Sequence, residues 1–434
     1  MGKIKIEKKD IWIDMTPMSD VMTLLLCFFM LTSTFLTPEP IKVNTPSSVS
    51  EVKVPENDVF NILVSPEGNI YVGSENKNTM QDMMETVTGK FGISLNGAQL
   101  KHFREDAMIG APMNLFTDYY SLEQEKMAEE IQKLSIPLDS IEGGKSEFQE
   151  WVTAARESNP DIRIAIKADA KTPYAVIKKM MSELQDMNEN RYQLITNLDT
   201  KKQGEIKAMA KKAASKQKKM DTRVNFTPMV DMMMLLITFF MLCTTLSKPQ
   251  AMQLTMPSND ENMTKEDKSV TKASYTITLY LGGDDKLYYV EGLPEYENPD
   301  CIKETTWGKD GVRKLLIEHV TEDGFSPVAR VMMAKKKLDE KKAQMGDKMT
   351  KEAYDKELSD IRNGKTDEFM AEFGEKGMQT LTVIIKPTDI ATYDNMVQAL
   401  DEMLVCSIGK YVIDKVNEDD EKLLTLKGIK FSND

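Results

Sequence analysis

The stretch TPMSDVMTLLLCFFMLTST (residues 16–34) is almost entirely apolar, yet it carries a carboxylate, Asp20, one turn from its start. A second stretch, TPMVDMMMLLITFFMLCTT (227–245), repeats the pattern with Asp231. At about 1.5 Å per residue, apolar segments of this length match the roughly 30 Å hydrocarbon core of a bilayer. The sequence therefore predicts two transmembrane helices, 15–36 and 226–246. A cleavable signal peptide is the alternative for the first and a buried core helix for the second.

Composition excludes several classes of function. The chain has 434 residues and a net charge of −13, which argues against nucleic-acid binding because that needs a basic surface. It has two histidines and four cysteines, with no C-x-x-C pair and no phosphate-binding glycine loop. We therefore expect no enzymatic activity, no metal site and no cofactor.

The two apolar stretches belong to a larger internal repeat. Twelve identities relate the helices at an offset of 211, and IRIAIKADAKTPYAVIKKMMSEL (162–184) aligns with LTVIIKPTDIATYDNMVQALDEM (381–403) at an offset of 219. Both downstream segments predict a strand, a short loop and an amphipathic helix, and a strand-like run follows each, RYQLIT (191–196) and KYVIDKV (410–416). Earlier in each repeat, alternating runs flank PEGN and GGDD, which predicts a β-hairpin.

These patterns predict a membrane-anchored α+β protein with two copies of one transmembrane helix followed by a small α+β domain. Both domains carry insertions, and the charged helix VARVMMAKKKLDEKKAQM (327–344) in the second is expected to be a solvated surface helix. The predicted layout is a cytoplasmic basic N-terminus (1–14), helix 1 (15–36), a linker (37–58), domain 1 (59–198, insertion 91–150), a basic junction (199–225), helix 2 (226–246), a linker (247–272) and domain 2 (273–434, insertion 292–378).

The threonine and proline before each aspartate predict a helix start, with threonine as the N-cap and proline at the first helical position. A carboxylate inside a membrane helix costs a few kcal/mol, so it usually faces a partner helix or a wet cavity. Burial favours the neutral acid, whereas the positive end of the helix favours the carboxylate, and this balance suits a proton carrier. The alternative is a carboxylate that merely reaches headgroup water. Polar residues continue the aspartate's face along each helix: Thr16, Thr23 and Thr34 in the first, and Thr227, Thr238 and Thr245 in the second.

The pattern T-P-x-x-D before an apolar helix, after the short basic segment KIKIEKKD, resembles the ExbD/TolR family. PIKVNTPSSV (40–49) is similar to the family's post-membrane segment, a short strand, and SKPQAMQLTMPSND (247–260) is a looser version. The terminal strand–helix–strand also fits the family's periplasmic domain. The resemblance covers most of each copy except the two insertions.

The resemblance implies an inner-membrane location and a motor driven by the proton-motive force. Its implied partners are a polytopic ExbB-like protein whose helices form a ring, a TonB-like protein that spans the periplasm, and a second ExbD-like copy. Asp20 and Asp231 would carry the protons, and the threonines would help along the path. Segments 41–49 and 251–258 would dock a partner strand by edge pairing, with a plain extended linker as the alternative. The residues concerned are Val43, Asn44, Pro46, Leu254 and Pro257.

The repeat raises a topological conflict. Basic residues precede both helices, so both segments should be cytoplasmic. A continuous chain with two spans would instead place the second domain in the cytoplasm. MAKKAASKQKKM (209–220) resembles a translational start, which suggests two ExbD-like subunits, 1–208 and 209–434, joined in one chain. The functional alternatives are a TolR-like subunit of the envelope-integrity motor and a non-conducting membrane-anchored interaction module.

Overall fold

The computed structural model describes residues 41–50, 52–53, 58–74, 76–106, 108–139, 144–198, 250–255, 272–296, 298–345 and 349–431. All of them belong to one compact unit, 40–434. Within these ranges no helix combines the length and the apolar composition that a membrane crossing requires. Both predicted transmembrane helices, 15–36 and 226–246, lie outside the described residues.

The first repeat and the segments that follow the two apolar stretches supply seven strands and six α-helices within the described ranges. The strands are β1 (Ser47–Ser48), β2 (Val52–Lys53), β3 (Val59–Val64), β4 (Ile70–Ser74), β5 (Arg163–Ala168), β6 (Arg191–Leu198) and β7 (Gln250–Thr255). The helices are α1 (Lys77–Phe91), α2 (Gly97–Glu105), α3 (Phe116–Tyr119), α4 (Gln124–Glu130), α5 (Glu147–Ser158) and α6 (Tyr174–Asp186).

The second repeat supplies the remaining described elements. Its strands are β8 (Thr276–Leu281), β9 (Leu287–Glu291), β10 (Lys303–Thr305), β11 (Thr382–Pro387) and β12 (Lys410–Ile413). Its helices are α7 (Val312–Glu318), α8 (Pro327–Met345), α9 (Lys351–Arg362), α10 (Asp367–Phe373), α11 (Tyr393–Val405) and α12 (Glu418–Lys427). This mixture of helices and strands agrees with the predicted α+β content.

The two repeats build their sheets in the same order. The first sheet runs β2-β7-β6-β5-β3-β4, with β1 also paired to β6, and the second runs β10-β9-β8-β11-β12. In both, an antiparallel hairpin (β3–β4, β8–β9) is followed by a parallel strand and then by a second parallel strand. Each predicted hairpin and each predicted strand after the amphipathic helix is therefore confirmed.

Local chemistry explains both hairpin turns. In the first, Gly68 has φ +92°, a conformation that glycine adopts without steric cost. In the second, Asp284 and Asp285 have φ 54° and 57°, which aspartate tolerates better than most residues. The turn residues thus set the register of the strands that they join.

The helices α6 and α11 carry the apolar faces that cover the sheets. In α6 the buried residues are Tyr174, Ile177, Met180, Met181 and Leu184, a helical spacing of three and four. One continuous cluster of buried side chains includes residues of both repeats, from Phe60 to Ile408. The two repeats are therefore held together by a shared apolar core.

The insertion of the second repeat corrects one prediction. Helix α8 was expected to be solvated, but Val331, Ala334 and Leu338 on one face are buried. They pack with Ile361 of α9 and Phe369 of α10 in a separate apolar cluster. The many lysines of α8 obscured this face in the sequence, because only a few apolar residues mark it.

Helix α12 packs against the second sheet, and no helix was predicted over its residues. Its Asp420 is fully buried and accepts hydrogen bonds from the Tyr280 hydroxyl at 2.7 Å and from the Lys386 ammonium at 2.5 Å. Lys386 is itself 5% exposed. Leu423 and Leu424 bury the apolar side of the helix nearby. A buried ion pair of this kind depends strongly on both partners, because either charge alone would be left without compensation.

We expect Asp420→Ala to lower the free energy of unfolding by about 3–5 kcal/mol, since it leaves Lys386 buried without its counter-charge. Denaturant unfolding of the detergent-solubilised chain measures the effect. The matched control is Asp419→Ala, because Asp419 forms an exposed pair with Lys422 at 3.1 Å; its cost should stay within about 0.5 kcal/mol. Equal losses for the two variants would contradict the assigned role of Asp420.

Candidate functional site

All eight residues predicted for proton transfer lie outside the described ranges. These are Asp20, Asp231, Thr16, Thr23, Thr34, Thr227, Thr238 and Thr245, and Pro257 of the predicted partner-binding set lies outside as well. Val43, Asn44, Pro46 and Leu254 are described. The site that the structure contains is therefore the region where the two segments after the predicted membrane helices meet the folded repeats.

The segment after the second apolar stretch forms a strand of the first repeat's sheet. β7 pairs antiparallel with β6 over six residues, from Arg191 opposite Thr255 to Thr196 opposite Gln250. Leu254 faces Tyr192 in this register and is 1% exposed. Part of the second repeat's linker has thus become a structural strand of the first repeat.

The segment after the first apolar stretch crosses the end of the same sheet. The amide of Asn44 donates to a carboxylate oxygen of Asp169 at 2.7 Å, and its carbonyl accepts from the amide of Ala170 at 2.9 Å. The carbonyl of Pro46 accepts from the amide of Asn197 at 2.9 Å. Val43 is partly buried against the main core. The resemblance predicted a short strand over 40–49, but only Ser47–Ser48 is a strand, paired in parallel with the end of β6.

The same segment is clasped by the second repeat. Asp401 on α11 is fully buried, and one of its oxygens accepts from the Ser48 hydroxyl at 2.9 Å and from the Val49 amide at 2.7 Å. Ser50 then donates its hydroxyl to the carbonyl of Ala251 in β7 at 2.7 Å. The linker of the first repeat therefore contacts the second repeat, just as the linker of the second repeat pairs with the first. We call residues 44–50, Asp401 and β7 the linker clasp.

A second contact between the repeats has local twofold symmetry. The amide of Tyr174 donates to the carbonyl of Ala391 at 2.9 Å, and the amide of Tyr393 donates to the carbonyl of Thr172 at 2.9 Å. The offset of 219 that aligns the repeats converts each of these hydrogen bonds into the other. Each repeat thus uses the same surface toward its neighbour, which is the geometry of an isologous dimer interface within one chain.

Three tyrosines are buried at this contact: Tyr174, Tyr192 and Tyr393. Burial raises the pKa of each phenol, and the neighbouring Tyr174 and Tyr393 raise the pKa of Tyr192 further. Within the described residues, the hydroxyls of Tyr192 and Tyr393 have no hydrogen-bond partner. The phenols therefore stay neutral at physiological pH and act here as packing groups rather than acids.

The two repeats differ at the strand edge. In the first repeat, β6 is covered by β7, whereas the corresponding β12 pairs only with β11 among the described residues. Val412 on β12 is 40% exposed. Edge pairing is thus already used inside the chain, and docking of another protein's strand stays a prediction.

Some of these contacts had a signal in the sequence and others had none. The shared tyrosines at 174 and 393 marked equivalent positions, although nothing in the alignment showed that they face each other. The clasp joins Ser48 to Asp401 across 353 residues, and Asp401 lies on a helix whose pattern predicted only amphipathic packing. The neighbouring Glu402 on α11 is buried as well, so an acidic residue on this helix did not by itself mark the clasp.

We expect Asp401→Ala to release the linker clasp, because the Ser48 hydroxyl and the Val49 amide lose their charged acceptor. Amide hydrogen exchange at Val49 should then accelerate by about tenfold or more, which corresponds to the loss of a hydrogen bond to a charged group. Asp401→Asn is the matched variant, since its amide oxygen still accepts, and it should retain most of the protection. Unchanged exchange in the alanine variant would show that the linker is held by other contacts.

Comparison with known proteins supplies the identification that the described geometry leaves open. No curated protein and no solved structure matches the chain. The family model for the biopolymer transport protein ExbD/TolR matches residues 7–97 and 217–417, which is more than half of the chain. The two matched segments fall in the two repeats and include both apolar stretches. The chain belongs to the ExbD/TolR family of biopolymer transport proteins, represented in it by two tandem copies.

Proposed function

We propose that the chain supplies a pair of ExbD-like subunits to an inner-membrane motor that couples the proton-motive force to TonB-dependent import through the outer membrane. Family membership supports the role of motor subunit. The observation that favours a pair is the symmetric contact in which Tyr174 and Tyr393 each donate to the opposite repeat. In this proposal an ExbB-like ring surrounds the two membrane helices, and a TonB-like protein carries the motion across the periplasm.

In this function Asp20 and Asp231 carry the protons, and the threonines on the same helical faces line the path. The two helices differ along that face: Thr23 of the first helix corresponds to Met234 of the second, and Cys27 corresponds to Thr238. Helices with unlike faces meet unlike neighbours inside a ring. We therefore expect the two aspartates to contribute unequally to transport.

The linker clasp gives the motor a means of connecting membrane and periplasmic parts. Ser48 and Val49 follow the first apolar stretch by only about fifteen residues, and they are bound to Asp401 of the other repeat. β7 follows the second apolar stretch even more closely and is bound to β6. A rotation or shift of the second membrane helix would therefore pull on the first repeat, and a shift of the first helix would pull on both repeats, because its linker also bonds to Asp169 and β6 of its own repeat.

The decisive experiment is proton-driven uptake of an iron chelate or cobalamin in cells that carry Asp20→Asn, Asp231→Asn or both. Asparagine keeps the size of aspartate but does not ionise, so uptake should fall while the protein level stays normal. Asp419→Asn, an exposed position on α12, is the matched control and should leave uptake unchanged.

The other outcomes distinguish the alternatives. Normal uptake with a leaky envelope would assign the chain to the TolR-type motor instead. Normal uptake and an intact envelope in the double variant would reduce the aspartates to anchors and favour a non-conducting interaction module.

A further inference from the structure

The first residues of β5 and β6 place two arginines side by side. In the parallel ladder Ile164 lies beside Tyr192, so the residues before them, Arg163 and Arg191, are neighbours on the two strands. Neighbouring strands lie about 4.8 Å apart, and side chains at adjacent positions share one face of the sheet. Ile164 and Tyr192 pack in the main core, so the two arginines point to the opposite face.

Neither arginine has a counter-charge in the described part of the chain. Salt bridges there involve other arginines, among them Arg156 with Glu189 at 2.6 Å, whereas Arg163 and Arg191 are exposed and have no such partner. Like charges at adjacent positions of a sheet are destabilising. The whole chain has a net charge of −13, so this unpaired cationic pair runs against its overall charge. Two adjacent guanidinium groups suit an oxyanion ligand, because each can bind it through two parallel hydrogen bonds.

The second repeat lacks this pair. At the offset of 219, Arg163 corresponds to Thr382 and Arg191 to Lys410, and these two residues are neighbours in the equivalent ladder of β11 and β12. A threonine beside a lysine carries one charge where the first repeat has two. The arginine pair is therefore a feature of the first repeat alone, and Lys410 provides a matched control.

The arginine pair lies in the wall of an open cleft of about 750 Å³. The wall also includes Arg156, whose guanidinium is already bound by Glu189, and the apolar residues Ile162 and Leu254. A cleft of this volume is in the range of ligand sites and is far larger than a single inorganic ion. A ligand that fits this wall combines carboxylates with apolar groups, as an acidic peptide does.

The cleft is remote from the second predicted membrane helix. β7 begins at Gln250, soon after the predicted end of that helix at 246, and its last residue, Thr255, pairs with Arg191. The length of this strand, about 17 Å at 3.4 Å per residue, separates the arginines from the start of β7. The position of the cleft therefore favours a partner from the solvent over a lipid headgroup.

We propose that this cleft binds an extended peptide segment of a partner protein, whose neighbouring carboxylates pair with Arg163 and Arg191. Apolar side chains of the peptide lie along the apolar part of the wall. The site is separate from Asp20 and Asp231 in the sequence, so it goes beyond the proposed motor function and does not depend on proton transfer.

The test uses the full chain in detergent and a short fluorescein-labelled peptide in which glutamate and valine alternate. Fluorescence anisotropy should rise and saturate as the chain is added, whereas the same peptide with glutamine in place of glutamate should give no saturable rise. Arg163→Gln and Arg191→Gln should each raise the Kd by about tenfold or more, since each removes charge-assisted hydrogen bonds. Lys410→Gln is the control and should leave the Kd unchanged.

Two further measurements separate ligand binding from a structural role of the arginines. Without peptide, the thermal unfolding midpoint should not fall in either arginine variant, because each removes one of two repelling charges. The peptide should slow amide hydrogen exchange in residues 188–190, which line the cleft, but not in the equivalent residues 407–409.

The proposal would be overturned if the glutamate peptide gave no saturable binding, if the glutamine peptide bound equally well, or if both arginine variants kept the original Kd. Inorganic phosphate that displaced the peptide at an equal concentration would overturn the choice of a peptide and assign the arginine pair to a small oxyanion.

Discussion

The pair of hydrogen bonds between Tyr174 and Ala391 and between Tyr393 and Thr172 is the constraint on which the arrangement of the repeats depends. Both involve the residues just before or at the start of the helix that covers each sheet. When the two helix starts are fixed to each other, α6 and α11 are brought together and their apolar faces join one core. The contact has twofold character because the two repeats are similar in sequence, and two similar units can pair through the same surface.

Symmetry at the centre contrasts with asymmetry at the periphery. β7 extends the first sheet, and β12 remains the last strand of the described part of the second. Asp420 and α12 cover the second sheet through a buried ion pair. The inserted helices add a separate apolar cluster to the second repeat alone. Two copies of one ancestral unit have thus acquired different surfaces while they keep the same contact with each other.

Local patterns predicted a large part of this fold. The turns PEGN and GGDD predicted both hairpins, because turn chemistry acts over four residues. The strand–helix–strand of each repeat followed from periodicity and from the alignment of one copy with the other. The extent of the strand after the first apolar stretch was overestimated, because Asn44 bonds to Asp169 and Ala170 in the loop after β5 and the ladder with β6 includes only Ser47 and Ser48.

The interactions between distant residues were beyond the reach of the sequence. Neither Asp401 nor Asp420 stands in a motif, and each acquires its role only from groups far along the chain. The buried face of α8 was hidden among lysines for a similar reason, since its significance depends on α9 and α10 lying beside it. The role of a residue that connects elements distant in sequence becomes visible only in the folded structure.

The antiparallel ladder between β6 and β7 has a consequence for membrane topology. Hydrogen bonds join Arg191–Thr196 to Gln250–Thr255 residue by residue, so both segments lie in the same compartment. A chain that crossed the membrane once at 227–245 would place them in opposite compartments. If 227–245 crosses the membrane once, as the sequence predicts, the ladder forms only when the chain returns across the bilayer a further time or is divided between 198 and 227; if 227–245 is instead a buried helix, the ladder needs neither. Under the predicted topology, two separate polypeptides with parallel membrane helices would satisfy this condition directly, and they would place both basic segments on the same side of the membrane.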